Sequence, residues 1–171
     1  MNRSSSDADA LSYRPAAALR PARPDDAPAI ADVYMRSRTQ LLPFAPLKHT
    51  AADILEWVTE WLLPSGELVV AVEGSRVVGL SAASSAYGVM WLDQLYVDPD
   101  RVGQGIGSTL LVEVLTRAQS AVQLYTFSEN TRARAFYERH GFVVVSQSDG
   151  SDNEEGVPDV LYRRPFDPSS M

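Results

Sequence analysis

The sequence predicts a mixed α/β domain whose sheet is part antiparallel and part parallel. Three observations carry that prediction. Residues 67–73 and 76–80 are β-rich runs joined by Gly74-Ser75, the pattern of a hairpin. A glycine-rich stretch, residues 102–107, leads out of a strand pattern into an amphipathic helix. After it, strand and helix patterns alternate, which requires crossover connections and hence some parallel pairing.

The elements follow in order. Residues 1–16, rich in Ser, Ala and Asp, read as a disordered tail, leaving one domain over 17–171. A short strand over 18–23 ends at Pro24. Asp25-Asp26-Ala27-Pro28 opens a helix, with acids and a proline in its first turn, and Ile30, Val33, Tyr34 and Ser37 keep helical spacing. Residues 41–49 hold two prolines and form a loop. A second helix covers 51–62, with Ile54, Leu55, Val58, Trp61 and Leu62 as its apolar stripe, and Trp57, Trp61 and Trp91 belong to the core. Behind the hairpin, a strand over 89–97 stops at Asp98-Pro99. Ile106, Leu110, Leu111, Val114, Leu115 and Ala118 mark one face of the next helix. A strand over 122–127 precedes a helix over 130–140, which Gly141 stops with Phe142 as the apolar residue beyond it. Strands over 142–145 and 160–166 flank an acidic loop, 149–159. The order is β-α-α-β-β-β-α-β-α-β-β.

Composition excludes several functions. The chain has no cysteine and two histidines, which removes disulfides, thiolate nucleophiles and Cys- or His-rich metal centres. The expectation is therefore no metal. The formal net charge of −7 disfavours nucleic acid, whose phosphates need clustered Lys and Arg. It suits a cationic small substrate or basic peptide, or simply solubility. No apolar run reaches the roughly 20 residues of a membrane span, and no secretory signal opens the chain. The expected compartment is the cytoplasm.

Glycines at 103, 105 and 107 have a physical use. Without Cβ atoms the backbone turns sharply and lets N–H groups converge on an anion, and the helix that follows adds the positive end of its dipole. A pyrophosphate is the natural guest, and a tight turn without ligand is the plain alternative. A dinucleotide fingerprint would place a third glycine where Ser108 stands. A P-loop would need a Lys-Ser/Thr pair, which is absent. A nucleoside-cofactor methyltransferase would place the loop after the first strand, whereas most strands here precede it.

Leu95-Tyr96-Val97-Asp98-Pro99, then Gly103-Gln104-Gly105-Ile106-Gly107, then Asn130, Ala133, Phe136-Tyr137-Glu138 and Gly141-Phe142 resemble the GNAT superfamily of acyl-CoA-dependent N-acetyltransferases. The resemblance covers about residues 18–166 and implies a GNAT-like sheet flanked by helices, with acetyl-CoA as co-substrate. It implies that backbone groups at Leu95, Tyr96 and Val97 pair with the pantetheine arm. It implies that the N–H groups from Val102 through Gly103, Gln104, Gly105, Ile106 and Gly107 to Ser108 hold the pyrophosphate. The family's loop usually opens with Gln or Arg. Val102 departs from that, and Arg101 stands ready to substitute. Asn130 matches an asparagine that reaches the cofactor, with Ala133 beside it, and also suits a helix N-cap. Tyr137 lies two turns along the same helix face and matches a tyrosine near the sulfur.

The implied reaction is direct attack of a primary amine on the thioester. Tyr137 is the candidate acid for the leaving thiolate. Asp93, near the strand splay and expected to share a face with Leu95 and Val97, is the candidate base. Glu155 and Asp159 on the acidic loop stand ready to close over the site. Asn153-Glu154-Glu155 and Pro158-Asp159 resemble a recurrent tail in one branch of the family. Phe44, Trp57 and Trp61 are candidates to line the acceptor pocket. The acceptor is a small molecule or peptide amine, and a homodimer stays compatible. The rival class is an acyl-CoA-binding sensor or interaction module without catalysis, which retention of Tyr137 and Asn130 argues against.

Overall fold

The computed structural model describes residues 17–168. The expected tail at 1–16 lies outside them. Seven strands form one sheet in the order β1-β2-β3-β4-β5-β7-β6. These are β1 Ala18–Pro21, β2 Leu68–Glu73, β3 Arg76–Ala86, β4 Val89–Val97, β5 Val122–Phe127, β6 Val143–Ser148 and β7 Asp159–Arg164. The helices are α1 Ala27–Leu41, α2 Ala51–Trp57, α3 Ile106–Arg117 and α4 Thr131–Arg139. The predicted element order holds throughout. No described helix is long and apolar enough to cross a membrane.

Helices α1 and α2 cover one face, where Ile30, Val33, Ile54 and Val58 pack on Val70 and Leu80. On the other face α3 sets Leu110 against Ala71 and Val78, and Leu111 and Val114 meet β5 and β7 through Leu124 and Tyr162. Phe142, the apolar residue beyond the Gly141 stop, is 2% exposed in that second core.

Three expectations need correcting. Strand β3 runs six residues past Leu80 and turns at Tyr87-Gly88 into β4, forming a second hairpin. Its small residues, Ser81 to Ala86, gave little β signal, and pairing on both sides supplied what propensity did not. The helix after residue 50 changes to a π-turn at Val58–Leu62. Ile54, Val58 and Leu62 are buried at four-residue spacing, while Leu55 is partly exposed and Trp61 is 74% exposed. The wider turn moves the inward stripe one residue on, so Trp61 leaves the core. Trp91 is half-buried and stacks on the exposed Tyr125 ring, with centroids 5.8 Å apart.

Candidate active site

The site begins where the sheet opens. Strands β4 and β5 are parallel, and they pair only at Met90↔Val122 and Trp91↔Gln123. Beyond Trp91 they part. The β3 register decides which β4 backbone groups face the gap. The Asp98 N–H donates to Val78 O at 2.9 Å, which makes that pair, and alternate pairs back to Tyr96↔Leu80, the hydrogen-bonded ones. Leu95↔Ser81 and Val97↔Gly79 are then the non-bonded pairs. The N–H and C=O groups of Leu95 and Val97 therefore point away from β3, into the splay. The Tyr96 backbone is spent on β3, so of the three residues expected to pair with a guest chain, two offer backbone groups.

A β-bulge interrupts this strand. Ala83 faces Leu92 and Ala82 faces Gln94, leaving Asp93 as the extra residue. Leu92 and Leu95 consequently share one core. Asp93 does not share their face, contrary to the simple alternation read from sequence. Its exposed side chain lines a cavity of about 550 Å³. Partial desolvation at the cavity wall raises the carboxyl's pKa despite that exposure, against a hydrogen bond from Ser84 that lowers it.

A second cavity, of about 670 Å³, opens beside the first and shares Leu42, Leu95, Tyr96, Asn130, Ala133 and Tyr137 with it. Its far end is the glycine loop, where Val102, Gly103, Gly105, Gly107 and Ser108 line it. Gly103 and Gly105 have φ of +78° and +84°, left-handed backbone that costs a side-chain-bearing residue about 1–2 kcal/mol. Gly105 is the N-cap of α3, and the first helical bond is Thr109 N–H to Gly105 O, 3.0 Å. The amides of Ile106, Gly107 and Ser108 therefore have no partner within the helix. A row of free N–H groups at a positive helix end fits a diphosphate. Gln104 and Ile106 do not line the cavity; Ile106 is buried in the core beneath it, 5% exposed.

Arg101 lines this cavity as expected, but its guanidinium is partly committed elsewhere. Its Nε donates to Glu73 at 2.9 Å, and both side chains are largely buried. Arg132, in the first turn of α4, also approaches the loop, its Nη2 lying 3.8 Å from where a Gly103 Cβ would sit. Arg132 and Arg139 both line this end of the cavity. Spacing along the sequence could not show which arginine was already paired.

Asn130 caps α4, its Oδ1 accepting from Ala133 N–H at 3.1 Å, and it lines both cavities. Tyr137 also lines both, 8% exposed, in edge-on contact with Phe136 and Phe142. Burial pushes its phenol pKa well up, with Tyr96 adding to the shift, so the hydroxyl stays protonated. Tyr96 packs edge-on against Tyr34 and its own phenol is pushed up to about 12 by burial.

The acidic loop between β6 and β7 reaches the smaller cavity through Asp152, Asn153, Glu155 and Asp159. Asn153 organises it, donating to Val157 O at 2.8 Å and Asp159 Oδ2 at 3.0 Å while accepting from Gly156 N–H at 2.9 Å. Phe44, Trp57 and Trp61 do not line either cavity. Phe44 instead packs edge-on against Phe127, which does line it, and Trp57 packs on Tyr34. Among the lining residues that the sequence reading did not single out is Arg38, an inward-facing residue of α1 and 5% exposed.

Comparison with known proteins agrees with this geometry. The family model described as "Acetyltransferase (GNAT) family" matches residues 28–142. A phosphinothricin N-acetyltransferase of Alcaligenes faecalis is 28% identical over 166 residues, 90% of this chain and 84% of that protein. A peptidyl-lysine N-acetyltransferase YjaB of Salmonella typhimurium is 33% identical over 108 residues, 63% of this chain and 70% of that protein. The PaiA N-acetyltransferase of Thermoplasma acidophilum, solved in complex with coenzyme A, shares the fold at a TM-score of 0.72 and 18% identity, over 88% of this chain and 99% of that one. The seven-strand mixed sheet, the splay and the matched family model together place this chain in the GNAT family of N-acetyltransferases.

Proposed function

We propose that the protein transfers the acetyl group of acetyl-CoA to a primary amine by direct attack on the thioester. One observation carries the reading. Two cavities meet at Leu95, Tyr96, Asn130, Ala133 and Tyr137, one ending at a cradle of free amides and the other walled by carboxylates. That is the layout of a two-substrate site with its reacting centre at the junction.

The cofactor half uses the loop amides that border the cavity, at Val102, Gly103, Gly105, Gly107 and Ser108, for the diphosphate, and the outward backbone groups of Leu95 and Val97 for the pantetheine amides. Asn130 and Ala133 border its path. When bound, acetyl-CoA supplies the activated acyl group. The Val97 N–H is a donor for charge building on the acyl oxygen. Asp93, at the acceptor side, takes the proton that the attacking amine must lose, a role its raised pKa suits. As the C–N bond forms and the C–S bond breaks, Tyr137 gives its proton to the departing sulfur. Tyrosine to thiolate is uphill by about 2 kcal/mol from ordinary pKa values, and the raised Tyr137 pKa steepens the climb, so the hydroxyl assists departure rather than making it feasible.

Calorimetry with acetyl-CoA, followed by thiol release across an amine panel, tests the proposal. Binding and turnover are expected. Binding without turnover on any amine would convert the reading to an acyl-CoA-binding module, and no binding to well-folded protein would remove both.

A further inference from the structure

Arg38 stands out among the residues around the acceptor cavity. A buried guanidinium is costly unless its five N–H donors are used. Here the use is incomplete. Nη2 donates to Glu155 Oε1 at 2.8 Å and more weakly to Ala45 O at 3.4 Å. Nη1 donates to the Tyr34 hydroxyl at 3.2 Å, and the Tyr96 hydroxyl is a further hydrogen-bond partner of the guanidinium. Nε is buried with no partner. The Phe127 and Tyr34 rings flank the guanidinium, 5.6 and 5.8 Å from their centroids. Glu155 holds it end-on through one donor and belongs to the loop over the cavity, not to the framework that fixes Arg38. A planar fork positioned by aromatic faces, whose one carboxylate partner comes from a loop, is a receptor for a compact oxyanion that takes the place of Glu155.

The same cavity carries the opposite charge on its other side chains, Asp93, Asp152 and Asp159. A purely anionic ligand would meet these acids, and a purely cationic one would leave Arg38 as it is. A dipolar ligand satisfies both. Building on the acetyl-transfer reading above, we infer that the acceptor is a primary amine bearing a compact oxyanion beside it, a free amino acid or a close analogue, and that Arg38 receives its carboxylate. The ammonium then lies among the acids, where the amine is deprotonated and attacks. Arg38 is on this view a specificity-determining residue, and Glu155 is the internal carboxylate that competes with the substrate's.

The test compares the twenty common L-amino acids with their α-amides and decarboxylated amines, by kcat/KM in acetyl-CoA-dependent thiol release. At least one amino acid should exceed its own amide and amine by tenfold or more. In Arg38→Met that ratio should fall to within about threefold of unity, with Arg38→Lys in between; the ratio is the readout, whatever the absolute rate. Glu155→Gln keeps Arg38 and removes its competitor, so the ratio should rise. This second variant decides the matter if Arg38→Met does not fold. Wild-type protein that uses amides or plain amines as well as acids overturns the inference, as does a ratio that Glu155→Gln leaves unchanged or lowers. Those results leave acetyl transfer itself standing. Thiol release with no amine of any kind would remove the acetyl-transfer reading and this one together.

Discussion

Replacing Asp98 by asparagine probes the joint between the sheet and the glycine loop. The carboxylate is fully buried, yet three groups converge on it. Arg36 of α1 reaches Oδ2 at 2.6 Å, Arg76 of β3 bonds the same oxygen, and Oδ1 accepts from Asp100 N–H at 2.9 Å, capping the turn before the glycines. Burial alone would raise its pKa; the bonds from Asp100, Arg36 and Arg76 outweigh it and hold the carboxyl below its ordinary value. Asparagine keeps the shape and the cap but turns two charge-assisted bonds, about 1.5–3 kcal/mol each, into weak or mismatched ones. Arg36 and Arg76 are 27% and 49% exposed, so the stranded cations rehydrate. The loss therefore stays below the 3–5 kcal/mol of breaking a fully buried pair. About 2–3 kcal/mol is expected, a fall in Tm of about 5–10 °C for a chain this long. The sign of the pH dependence follows from the depressed pKa. The wild-type advantage is full above the unfolded-state pKa and disappears as pH falls through the lower folded-state value. Urea denaturation of both proteins at neutral and strongly acid pH measures this. A difference under about 0.5 kcal/mol at neutral pH, or one that survives acidification, would refute the reasoning.

Other perturbations follow from the same geometry. Tyr137→Phe should lower kcat by about 10²–10⁴-fold, the usual scale of general acid catalysis, with acetyl-CoA affinity little changed; a kcat within threefold of wild type would reduce Tyr137 to packing. Asp93→Asn should lower kcat/KM for the acceptor and remove the acidic limb of its pH profile, which the raised Asp93 pKa should place above the ordinary carboxylate range; an unaltered limb assigns the base elsewhere. Gly150 has φ +85°, and a Cβ there would lie 2.4 Å from the Val157 carbonyl. Gly150→Ala should therefore raise KM for the acceptor severalfold through the displaced loop, while calorimetric affinity for acetyl-CoA, bound at the other end, stays put.

Much of the frame was legible because its signals are local. The strands over 89–97 and 122–127 carry their own apolar runs, and the Gly141 stop with Phe142 beyond it is a matter of a few consecutive residues. The glycine cradle was legible for the same reason: backbone freedom is a property of the residue that supplies it. The acceptor side was less so. Trp61 reads as core until a π-turn shifts the stripe, and Asp93 reads as a partner of Leu95 until the bulge adds a residue. Each departure shifts the phase of the side chains by one residue, which apolar spacing alone does not signal.

Sequence alone therefore determined the order of elements, the glycine loop that ends one cavity, and the helix carrying Asn130 and Tyr137. Only the tertiary structure decided which charges remain available. It tied Arg101 to Glu73 across 28 residues and Arg38 to Glu155 across 117. It also spent the Tyr96 backbone on β3 and left those of Leu95 and Val97 facing the splay. The physical reason is that a backbone conformation is chosen by the residue and its neighbours, whereas the pairing of a charge or an amide depends on what folding brings beside it.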